Sequence, residues 1–129
     1  MNTKLLMALN AVFLGIMGVL FSFFPQEIMN YLNGNPNIIT LLFLQILGSL
    51  YLGFGILNWM AKSNLIGGIY SKPLVIGNLA HFGMSEIALM KIIFNTQMHI
   101  EILILLTVLY AVFAVCFGYV LVNNPKKLV

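Results

Sequence analysis

Long apolar runs broken by short polar clusters organise this 129-residue chain. Crossing the hydrocarbon core of a bilayer, about 30 Å, takes about 20 helical residues, because no backbone hydrogen bond can be left open there. Four stretches meet that length: about 4–24, 38–60, 73–94 and 100–122. Each is apolar nearly all round, the pattern of a helix surrounded by lipid and by other helices. The first stops at Pro25, and FSFFPQE offers no small-x-small cleavage motif, so a retained span is expected. Between the spans lie PQEIMNYLNGNPN, AKSNLIGGIYSK and NTQMH, with NNPKKLV after the last. Pro25 predicts the first turn of a short interfacial helix over 25–32, broken by Asn33-Gly34 and Asn35-Pro36. Gly67-Gly68 predicts a turn. The expected fold is all-α, one domain over 1–129, an integral membrane four-helix bundle.

Lysine placement orients that bundle. Lys4, Lys62, Lys72, Lys126 and Lys127 fall on one side of the membrane and only Lys91 on the other. Cationic residues collect on the cytoplasmic side. Both termini are therefore expected in the cytoplasm, with 25–37 and 95–99 outside. Trp59 and Tyr70 then join the cytoplasmic aromatic belt. With 61% apolar and 7% charged residues, the composition excludes an ordinary soluble domain. Six lysines against three glutamates are too sparse for a nucleic-acid surface. A single cysteine, Cys116, excludes an internal disulfide and a Cys-x-x-Cys pair.

Helices in lipid associate through small residues that let backbones approach and through interhelical hydrogen bonds. Spacings of three and four mark the faces available. Helix one offers Ala8, Ala11, Gly15, Gly18 and Ser22, and helix two Gln45, Gly48, Leu52 and Gly55, with Ser49 and Gly53 as a further pair. Helix three offers Asn78, His81, Ser85 and Ala88, and helix four Thr107, Ala111, Ala114 and Gly118.

The polar members of these faces are the candidate chemistry. At a rise of ~1.5 Å per residue, Gln45, Glu86 and Thr107 lie roughly 10–12 Å below the outer boundary, with Ser85 beside them. Asn10, Asn78 and His81 lie roughly 7–12 Å above the inner one. Two polar layers are expected: Gln45, Ser85, Glu86 and Thr107, and Asn10, Asn78 and His81. A carboxylate at such depth costs ~3 kcal/mol on insertion scales, so Glu86 is expected to face protein or a wet cavity. It is either a proton site or headgroup anchor, or a neutral acid hydrogen-bonded to Gln45 or Thr107. For His81, pairing with Asn10 or Asn78 takes precedence over a relay role. Lys91 is expected to reach back to the headgroups. His81 and His99 are the only histidines and lie at different depths, so no metal or haem site is expected. No serine elbow, phosphate loop or dinucleotide fingerprint appears.

LGSLYLGFGILNWMAK, residues 47–62, and PLVIGNLAHF, residues 73–82, resemble the DoxX-like group of small four-helix membrane proteins. GIMGVLFSFFPQEIMNYLNG is similar to that group's first hairpin. The resemblance implies a bundle in a bacterial cytoplasmic (inner) membrane, near quinone or sulfur redox partners. Gln45 stands where the group's second span often carries a basic residue, and the chain has no redox cysteine pair; both depart from the group's quinone-redox pattern, leaving a non-catalytic subunit of a membrane redox enzyme as what the resemblance implies.

Three functional readings follow. The first is a non-enzymatic accessory or scaffold component, its company being membrane lipid and either further copies of itself or a larger membrane complex. The second is a binding module for a lipophilic molecule such as a quinone, isoprenoid or lipid, headed by Glu86 and His81. The third is a proton-coupled small transporter. No cofactor is expected beyond a bound lipid or quinone under the second reading.

Overall fold

A computed structural model describes residues 2–64, 66 and 68–123. Lys126 and Lys127, which enter the orientation argument, and Gly67 of the expected Gly67-Gly68 turn lie outside the described residues. The chain is all-α, with helices α1 (Thr3–Phe23), α2 (Pro25–Tyr31), α3 (Ile38–Ala61), α4 (Lys72–Ile93) and α5 (Ile100–Val122). The long helices match the four apolar runs to within one residue at each end. Three of them, α1, α3 and α5, are long and apolar enough to cross a membrane. This is a membrane protein with transmembrane helices. α4 has the length, at 22 residues, but Asn78, His81, Ser85, Glu86 and Lys91 set it apart in polarity. The chain divides into two compact units, Met1–Ser63 and Asn64–Val129.

In the first unit, polar side chains fix where helices begin. Asn2 caps α1, its Oδ1 accepting from Leu5 N–H at 3.2 Å, and Asn37 caps α3 by accepting from Thr40 N–H at 2.9 Å. Pro25 opens α2, as its fixed φ and missing N–H favour. The far end of α2 closes in a Schellman motif: Asn33 N–H donates to Asn30 C=O at 3.2 Å and Gly34 N–H to Met29 C=O at 2.9 Å. Asn33 sits at φ 53°, a left-handed conformation that asparagine tolerates better than most residues.

α1 and α3 pack antiparallel along the small-residue faces. A Cβ added to Gly18 would lie 2.7 Å from Leu52 N and 2.9 Å from Gly48 C=O. One added to Gly48 would lie 2.5 Å from Ser22 Oγ and 2.7 Å from Ser22 N. Further along, a Cβ on Gly55 would meet Ala11 C=O at 3.2 Å and Gly15 N at 3.1 Å. The two backbones touch, and only glycine allows it. At the other end of the unit, Lys62 holds its ammonium 2.8 Å from the centroid of the Trp59 ring, a cation–π contact of the kind that anchors a helix end at a headgroup boundary.

The second unit is held differently. Phe82 of α4 is fully buried and stacks on Phe113 at 4.9 Å and Phe117 at 6.1 Å, while Tyr110 meets it edge-on at 5.1 Å. Aromatic rings, which prefer offset or edge contacts at 4.5–7 Å, form this interface. The small face of α5 is not a tight seam here, since a Cβ on Gly118 would meet only Leu79 Cδ1, at 3.9 Å. α4 and α5 join through a short turn in which Asn95 Nδ2 donates to Lys91 C=O at 2.6 Å. His99 takes φ 51° at the start of α5.

Candidate functional site

Each expected polar residue has a definite place in its own unit. Asn10 and Gln45 belong to the first unit; Asn78, His81, Ser85, Glu86 and Thr107 belong to the second.

In the second unit, two of the five turn back on their own helices. Asn78 is fully buried and its Nδ2 donates to Leu74 C=O at 2.9 Å. Thr107 Oγ1 donates to Leu103 C=O at 2.8 Å, so its proton serves α5 and not a neighbouring helix. Such i−4 bonds commit one donor of each side chain to its own helix. His81 is half-buried among rings, with Phe82 at 4.8 Å and Tyr110 at 5.7 Å between centroids. Ser85 and Glu86 are half-buried one turn further along α4. Glu86 Oε2 is shielded from solvent and meets no hydrogen-bond donor among the described residues. An acceptor left that way costs about 1–3 kcal/mol, which a bound donor would recover.

In the first unit, Asn10 is fully buried on α1, and so is a residue that spacing did not single out, Asn58 of α3. The antiparallel register fixed by the Gly18–Gly48 and Ala11–Gly55 contacts puts Asn10 and Asn58 at the same level beside the seam. Asn58 sits in LNWMAK, next to the cytoplasmic boundary expected from the lysines, where a polar residue draws no notice. Its full burial is what marks it.

Gln45 is exposed on α3 and lines an open groove of about 580 Å³ together with Phe23, Glu27, Ile38, Leu41 and Leu42. The walls are mainly apolar, and Glu27 brings the only formal charge among the lining residues. The groove lies where α1 ends, α2 begins and α3 starts. Lys4 and Lys62 stand at the opposite ends of α1 and α3, so this end of the unit carries negative charge and the far end positive. The groove is open to its surroundings and sets a few polar groups against an apolar wall.

Among the described residues, no three His, Cys, Asp or Glu side chains come together as metal ligands would. Cys116 is a half-buried free thiol on α5. No family model, no curated protein and no solved structure matches the chain, so the reading of these sites rests on their geometry alone.

Proposed function

We propose that this protein is a small multi-pass component of a bacterial inner membrane that works as a non-enzymatic accessory or scaffold, lending helix faces to other membrane helices. The observation that carries the reading is a second small-residue face on α3. Gly48, Leu52 and Gly55 are engaged with α1, yet Ser49 and Gly53, about 100° round the helix, are exposed, and a Cβ on Gly53 would meet nothing within 4 Å. Small residues four apart on an exposed face let another helix approach closely. Substituting Gly53→Leu is expected to abolish co-purification with a partner from mild detergent without lowering expression or thermal stability. Unaltered co-purification would remove this face from the proposal, and a solitary monomer in native membranes would remove the accessory role itself.

The same reading takes α4 as a fourth span, in a bundle of the DoxX-like kind with both termini cytoplasmic. Lys72 and Lys91 near its two ends support this, since long cationic side chains reach the headgroups from either boundary. Reporter fusions at the two termini are expected to label the same side of the membrane. Opposite sides would leave three crossings and make α4 an interfacial or re-entrant segment.

A second reading, binding of a lipophilic molecule, is favoured by the groove beside Gln45. In it Glu86 and His81 are packing residues of the α4–α5 pair, and the ligand is held in the first unit.

A further inference from the structure

The groove of the first unit combines one carboxylate, two amides and an apolar wall. Its lining includes Glu27, in the first turn of α2, the neighbouring Gln26, and Phe23, which is 71% exposed. Glu27 makes no ion pair or hydrogen bond with any described residue. Ile38, Leu41 and Leu42 then supply apolar wall, and Gln45 offers an amide seven residues beyond Ile38, about 10 Å further along the helix axis.

A carboxylate and an exposed aromatic residue lining one groove favour an ammonium group, because the ring quadrupole and the negative charge attract the same cation. With Glu27 the sole charge among the lining residues, an anionic head is repelled. The position at the end of α1 and the beginning of α3 matches the level where heads meet chains. The Gln45 amide suits an ester or amide linkage, and the apolar wall of Ile38, Leu41 and Leu42 suits a hydrocarbon chain.

We propose that this groove binds a single-chain amphiphile with an ammonium head joined to its acyl chain through an ester or amide. The volume of about 580 Å³ has room for one acyl chain with its head. The proposal deepens the ligand-binding reading and rests on it.

The test uses the full chain in dodecyl maltoside with labelled lauroylcholine. Its counterpart is lauroyl isethionate, which keeps the chain and the ester and replaces the ammonium by a sulfonate. Lauroylcholine is expected to bind saturably, one molecule per chain, and a hundredfold excess of lauroyl isethionate is expected not to displace it. Glu27→Gln is expected to weaken binding about tenfold, whereas Glu27→Asp, which keeps the charge, stays within about threefold of the parent. Gln45→Leu is expected to weaken lauroylcholine about threefold but leave dodecyltrimethylammonium, which has no ester, unchanged. Equal displacement by lauroyl isethionate, or tight binding by Glu27→Gln, overturns the ammonium assignment and leaves a groove for acyl chains. Absence of saturable binding by either ester overturns both the assignment and the ligand-binding reading.

Discussion

Gly48→Leu is expected to separate α1 from α3 and destabilise the first unit by about 3 kcal/mol, the upper part of the range for overpacked sites. The reason lies in which atoms obstruct the new side chain. A Cβ at this position lies 2.7 Å from the backbone nitrogen of Ser22 and 3.0 Å from Gly18 C=O, and neither can rotate away. Even alanine tests the point, because Gly→Ala in a helix interior normally stabilises by about 1 kcal/mol. At Gly48 the obstruction outweighs that gain and Gly48→Ala is expected to destabilise. At Gly53, where a Cβ meets nothing within 4 Å, the same change is expected to stabilise. Unfolding in mixed detergent micelles measures both. Equal effects at the two positions would mean that α1 and α3 do not pack through Gly48. Gly18→Ala should behave as Gly48→Ala does, and the double variant should cost less than the sum, since the first substitution already moves the helices apart.

The second large effect falls in the other unit. Phe82→Ala is expected to cost about 3 kcal/mol or more, because it removes the ring on which Tyr110, Phe113 and Phe117 converge and leaves a void on a fully buried site. Phe82→Leu, which keeps most of the volume, should recover much of that loss. In lipid the missing contacts are chiefly van der Waals and aromatic, with little help from water. Near-ultraviolet circular dichroism, which senses how Tyr110 and the phenylalanines are held, is expected to flatten in Phe82→Ala. An unchanged spectrum with unchanged stability would show that the cluster does not hold α4 to α5.

These two sites differ in how far the sequence revealed them. The α1–α3 seam was legible because backbone contact needs glycine or another small residue, and Ala11, Gly15, Gly18 and Ser22 face Gly48 and Gly55 at helical spacing. The 25–32 helix was legible for a similar reason, as Pro25 and Asn33-Gly34 are local signals that act through the backbone. The aromatic cluster was not. α5 is apolar on every side, so no periodicity separates Tyr110, Phe113 and Phe117 from Val108 or Val115, which are exposed. Small residues on α5 pointed to a seam, yet the larger rings fill the interface and hold it open.

The polar residues show the same limit. Helical rise gives the level of a side chain, but pairing also needs the rotation of each helix, and a neighbouring carbonyl one turn back competes for every donor. Asn78 and Thr107 both bond in that local way. Asn58 escaped notice because its place near the end of α3 gives no hint of its complete burial.

Lys62 above Trp59 equips the molecule with its own optical gauge. Trp59 is the sole indole in the chain, so its emission comes from one place, the end of α3 in the first unit. A cation resting on that ring couples the emission to the charge of a single amine. Acetylating Lys62 would alter the signal without any added dye, and the α3 terminus can be followed through extraction, reconstitution and partner binding by its fluorescence.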